Sequence, residues 1–251
     1  MSTTARSNVT AVMTAMTDAE RPWVQKALAS ILSQTVLPDA VILMIETGNS
    51  WMESDINASG FPESAACRIQ IHRMPLARLG AVRNAGTRLA ATRWVAYLDG
   101  DDMWKPRRIE WQLEAASARP KACFIGGDFV FIDSADRPFA FSNGSTPTPS
   151  SWLVDRKMML NMPFDPDLKV GEDYFWLKAT RATCERVRVS KVVTGYRIRG
   201  MSLSSLQHGH SRQRKVREAM ARAAANPLFR YPMLAGTFVR YWLARGRGYD
   251  V

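Results

Sequence analysis

Short apolar runs alternate with helical stripes along the first half of the chain. Val9 to Ala15 (VTAVMTA) is apolar and β-branched, the pattern of a buried strand. Asp18 to Pro22 combines early acids with a proline, a helix-start signal. It predicts a helix over 22–33 with Trp23, Ala27, Leu28, Ile31 and Leu32 on one face. Ala40 to Ile45 (AVILMI) predicts a second buried strand ending in Glu46-Thr-Gly-Asn-Ser50, and loop with weak helix follows over 51–67. A third strand is expected over Ile69–His72. A helix over 79–91 is expected from Leu79, Val82, Leu89 and Ala90, and a fourth strand from Trp94 to Leu98. That strand runs into Asp99-Gly-Asp-Asp102; a helix over 106–118 and strands at 122–125 and 128–132 come next.

Ser142 to Ser151 (SNGSTPTPSS) has linker composition. Beyond it the pattern gives a short helix at 152–160, a turn at Pro163–Lys169, and a helix opening at Glu172-Asp173. Strands near 186–189 and 192–198 and a basic helical tail complete the chain. The expected organisation is a disordered lead 1–8, a first half 9–141, a flexible linker 142–151, a second half 152–206 and a tail 207–251. The alternation predicts an α/β fold with a mostly parallel mixed sheet and ligands at the strand C-termini.

Composition narrows the classes. With 251 residues, 46% of them hydrophobic, the chain can bury a sizeable core. Three cysteines far apart argue against a disulfide framework or a zinc ribbon, and for a reducing compartment. The polar N-terminus shows no signal-peptide core, and no apolar run approaches the ~20 residues of a spanning helix. A cytoplasmic protein is expected. The net charge of +11 is uneven: residues 178–251 carry +13 and residues 1–177 carry −2. Such a tail suits an anionic partner. No helix-turn-helix, zinc or RNP pattern accompanies it, so nucleic acid is not the expected one. Cations interleaved with Leu228, Phe229, Tyr231, Trp242 and Leu243 instead suggest an anionic membrane surface.

Three carboxylates, Asp99, Asp101 and Asp102, stand where strand WVAYL ends, a ligand position in open α/β sheets. Such a group can share Mg²⁺ or Mn²⁺ with diphosphate oxygens, or be a solvated acidic turn. Arg83-Asn-Ala-Gly86 opens the preceding helix, where an arginine can reach an anion. Glu46 ends the second strand. Glu172-Asp173 supplies two acids at a helix N-terminus, either dipole partners or a general base beside the aromatic Tyr174, Phe175 and Trp176. Tyr196-Arg-Ile-Arg199 sets two cations on one strand face.

In this order the motifs resemble the family 2 glycosyltransferases of GT-A fold over roughly residues 8–205, most specifically in Gly80–Gln112 and Phe164–Leu177. The resemblance implies a nucleotide-binding αβα half joined to an acceptor half, and inverting transfer from a UDP-, dTDP- or GDP-linked sugar to a saccharide or lipid-linked hydroxyl. It implies Asp99 and Asp101 as ligands of Mn²⁺ or Mg²⁺, with Asp101 the direct one. Arg83, Glu46 and Arg199 would lie on the nucleotide-sugar, and Asp102 on its sugar hydroxyls or in support of the turn, with Glu172 and Trp176 on the acceptor side. Asp173 would be the base of a single displacement in bacterial surface polysaccharide or glycolipid synthesis. Peripheral attachment to the inner face of the plasma membrane fits that setting, and an oligomer is compatible with it. Glu46-Thr47 replaces the family's Asp-Asp, and Arg199 stands where a histidine is common, so His208 or His210 would have to supply a late ligand or Arg199 the charge. A nucleotidyltransferase or a non-catalytic nucleotide-sugar sensor is the alternative.

Overall fold

A computed structural model describes residues 7–58, 67–142, 146–199 and 212–249. The lead before Ser7 and both late histidines, His208 and His210, lie outside the described residues. The apolar runs form parallel strands β1 (Val9–Ala15), β2 (Ala40–Glu46), β3 (Arg68–Met74) and β4 (Trp94–Asp99), in the order β3-β2-β1-β4. β1 is buried at every position because its alternate residues serve two cores, as a sheet covered on both faces requires. Val9, Ala11 and Met13 pack with Leu28 and Ile31 of α1 (Arg21–Leu32), whereas Val12 packs with Val82 of α3 (Leu79–Leu89). The weak helix α2 (Met52–Ala58) lies between β2 and β3 in sequence. A two-stranded contact by β5 (Met103–Trp104) and helix α4 (Arg108–Ala118) follow β4.

The second half continues the same sheet. β6 (Ala122–Ile132) and β9 (Glu185–Arg197) are parallel to each other, β7 (Pro138–Phe141) flanks β6, and β8 (Trp152–Asp155) is inserted antiparallel between β4 and β6. The pairs of short strands expected at 122–132 and 186–198 are therefore two long strands, each carried through a shift of register. The first residues of the helix expected at 152–160 form β8, and the helix α5 starts only at Arg156–Asn161, capped by Asp155. Part of the expected linker is core: Pro149, Ser150 and Ser151 form a buried 3-10 turn against β4. The buried arginine Arg108 ties these pieces together, donating to the carbonyls of Tyr97 and Trp152 beneath the ring of Trp104.

The stripe expected on α3 is also revised. Leu89 is exposed, and the buried face is Gly80, Val82, Arg83, Asn84, Gly86 and Thr87. A Cβ at Gly86 would run into Val12 Cγ1, so glycine sets how closely α3 lies on β1. Cys123 and Cys184 form a disulfide, contrary to the reading of isolated cysteines. The parallel register Ala122↔Glu185 brings the two strand starts together across 61 residues of sequence. Helices α6 (Glu172–Ala179), α7 (Arg212–Ala223) and α8 (Pro227–Ala244) complete the described chain. No helix among the described residues is long and apolar enough to cross a membrane.

Candidate active site

The site forms where β1 and β4 end side by side, Thr14 opposite Asp99. Thr14 Oγ1 donates to Asp99 Oδ1 at 3.1 Å, and the turn is pinned by Gly100 N–H on the Thr14 carbonyl at 2.7 Å. Ser150, from the buried 3-10 turn, accepts the Asp99 N–H at 3.1 Å. Arg83 rises from α3 with its side chain 2% exposed. Its Nη2 donates to both Asp99 oxygens, at 2.7 and 3.0 Å, and its Nη1 donates to Glu172 Oε1. One guanidinium thus clamps the end of β4 to the first residue of α6. A cation buried so deeply is tolerable only with such partners.

Asp173 follows Glu172 and lies on the cleft. Gly171, in the left-handed region with φ 79°, turns the chain into α6. Burial, and then the neighbouring Glu172 charge, push the Asp173 carboxyl up to about 6, against the pull of Arg83. The cleft, of about 150 Å³, is lined by Arg83, Asp99, Asp173, Lys169, Thr148 and Tyr196, among others.

Beside it, the acidic turn is held by two arginines of the β9 end. Asp101 Oδ2 accepts from Arg199 Nε, and Arg199 also reaches Glu20 Oε1 at 3.4 Å and the Ala19 carbonyl at 3.1 Å. Glu20 caps α1's approach by accepting the Thr17 N–H at 2.9 Å. Burial, then Asp101, raise its pKa to about 7. Arg197 donates from its backbone to Asp102 Oδ1 at 2.8 Å and from Nε to the Asp101 carbonyl at 2.6 Å. Trp23 lies under both arginines, 5.2 and 5.8 Å from their carbons.

Several expected roles change. Asp102 is buried and fastens the turn to β9, the supporting role that the resemblance offers beside a place on the sugar hydroxyls; burial, with Asp101 and Asp99, lifts its pKa far above the usual range. Glu172 is the buried partner of Arg83 and also lines the cleft. Trp176 is a core residue, packed on Trp152 and Phe164 and donating to the Met162 carbonyl at 2.6 Å. Glu46 ends β2 outside the cleft lining. Glu20 and Ser150 join the site from outside the motifs the sequence offers. Only Glu20 carries a local signal, the Thr17-x-x-Glu20 capping box. As for a divalent ion, carboxylates are the right chemistry. Yet both Asp99 oxygens are held by Arg83 and Asp101 by Arg199, and no trio of metal-ligating side chains exists among the described residues. As paired, these residues do not fit the expected Mn²⁺ or Mg²⁺.

A β3-β2-β1-β4 parallel sheet with acids at the β1/β4 switch point defines a doubly wound α/β protein with the usual ligand position of that class. The family model of glycosyl transferase family 2 matches residues 11–150, and the chain belongs to that family. The succinoglycan biosynthesis protein ExoO of Rhizobium meliloti (strain 1021) is 26% identical over 207 residues, covering 72% of this chain and 58% of that protein. The fold is similar to S. aureus TarS: the 1–349 fragment in complex with UDP-GlcNAc matches 94% of this chain and 72% of its own, with a TM-score of 0.63 at 13% identity. The fragment with UDP matches 84% and 69%, with a TM-score of 0.59 at 13% identity. The chain spans 58% of the curated relative and 36% of the longer TarS chain.

Proposed function

We propose that the chain transfers a sugar, with inversion, from a nucleotide-sugar to a hydroxyl of a saccharide or lipid-linked acceptor in surface polysaccharide synthesis. Family membership supports the reaction class, the ExoO likeness the pathway class, and the TarS complexes a UDP-linked donor among the expected nucleotides. The observation that carries the reading is Asp173: a carboxylate with a raised pKa, on a cleft whose wall is the Asp99–Arg83–Glu172 clamp.

The cleft is smaller than the ~300–1,000 Å³ of a whole small-molecule site, so it takes the sugar end of the donor. The nucleotide then runs along the C-terminal ends of β1 and β2 toward Glu46. Asp173 as carboxylate removes the acceptor proton while the oxygen attacks the anomeric carbon, and the nucleoside diphosphate departs on the opposite side. Its negative charge meets Lys169 of the cleft and Arg199 beside the acidic turn. Arg199 serves the leaving group in the place where a family histidine would stand.

Calorimetric titration with UDP-, dTDP- and GDP-sugars tests this. Binding of one nucleotide class, persisting in chelator, with nucleoside diphosphate released on adding acceptor, is the expected result. Failure to bind any nucleotide-sugar, with or without Mn²⁺, would remove the reading.

A further inference from the structure

Helix α8 has two faces, and only one is covered. Met233, Leu234, Thr237 and Tyr241 turn inward: Tyr241 stacks on Phe141 of β7 at 5.2 Å, and Thr237 Oγ1 accepts the Phe141 N–H at 3.1 Å. The opposite face carries Leu228, Tyr231, Val239, Trp242 and Leu243, and Phe238 at its edge packs on Phe141. Leu228 is 78% exposed, Tyr231 68%, Leu243 65% and Trp242 50%. Helical spacing joins them into one stripe over the whole length of α8. A contiguous exposed apolar face of this kind marks an interaction surface.

We infer that this face docks on a bilayer containing anionic lipid, with α8 lying in the interface plane. Charge selects the occupant. Arg245 stacks over Trp242 of the stripe at 5.0 Å, and Arg240, Arg247, Lys215, Arg217 and Arg222 are exposed. Glu218 is the only acid between Arg212 and Tyr249. A second copy of this chain would bring the same cations together, whereas anionic headgroups pair with them while the stripe enters the acyl boundary. Tryptophan and tyrosine suit that depth, with an apolar ring and a polar edge.

The basic helix α7, which precedes α8, reaches toward the cleft wall. Tyr196 lines the cleft, Phe131 packs on Tyr196 at 6.0 Å, and Arg217 of α7 lies over Phe131 at 5.2 Å. Docking would therefore bring the site to a lipid-borne acceptor, a step that rests on the transferase reading. The docking itself does not rest on it.

Vesicle flotation of the whole chain decides between outcomes. The protein should float with phosphatidylcholine vesicles containing phosphatidylglycerol, sink with phosphatidylcholine alone, and be released by high salt. A Leu228→Ser, Trp242→Ser, Leu243→Ser variant changes only exposed side chains. It should lose at least about tenfold in the floated fraction while melting like the wild type. An Arg240→Gln, Arg245→Gln, Arg247→Gln variant should lose a similar amount. If the wild type stays at the bottom of the gradient, or the serine variant floats as well as the wild type, the inference is wrong. A wild-type dimer that the serine variant dissociates, with no flotation of either, would assign the face to a second copy instead.

Discussion

Asp173 has the strongest chemical consequence of any single side chain here. The working form of a general base is the carboxylate, and an ordinary aspartate loses that form only near pH 4. Burial beside Glu172 raises the Asp173 pKa to about 6. The sign is therefore that kcat/KM should be flat above that pH. It should fall about tenfold per unit below it, as the base is protonated. A profile flat down to pH 4 would detach the limb from this residue. Arg199 gives a second prediction. It is the paired cation of both Asp101 and Glu20. Arg199→Ala should weaken nucleoside diphosphate binding by roughly ten- to a hundredfold, the worth of a charged hydrogen bond, while nucleoside binding changes little. Chelator should leave wild-type binding unchanged. Equal losses for both ligands, or wild-type binding abolished by chelator, would show that an ion rather than Arg199 meets the diphosphate.

Helix α3 shows what its sequence could and could not reveal. Its existence followed from Val82 and the spacing around it, and Arg83 was recognised as a site residue from its motif. Its buried face was misread, because leucines normally mark the core and here Leu89 faces water. Gly86 and Asn84 do the packing, and their partners, Val12 and the backbone of Phe164, are remote in sequence. The same limit applies to α6. The aromatic run Tyr174-Phe-Trp176 does not stay together beside Asp173, because a helix sends adjacent residues to different faces: Trp176 is buried and Phe175 exposed. Gly86→Ala should cost about 1–3 kcal/mol by overpacking α3 on β1, read from denaturant melts with an unchanged slope. Unchanged stability would mean that α3 can slide to accept the methyl.

Across the whole molecule, the strand order turns two expected halves into one sheet. β8, from beyond the supposed linker, bonds to both β4 and β6, and the β4 acids rest on Ser150 and Arg197 from that same later half. Composition alone marked SNGSTPTPSS as loose; no local signal tells that its last three residues fill the space under Asp99. Unfolding should accordingly be a single cooperative transition, with far-ultraviolet and aromatic signals coincident. Two separated transitions would restore the linker.

The proposed role of Asp173 is that of a base acting on a sugar donor held beside the Arg83–Asp99 clamp. Its most direct test is the Asp173→Asn variant, assayed in parallel for donor binding by calorimetry and for transfer by nucleoside diphosphate release. The amide keeps the size and hydrogen bonding of the side chain and removes its basicity. Donor affinity should stay within about twofold while turnover falls by roughly two to four orders of magnitude. Turnover near that of the wild type would contradict the claim.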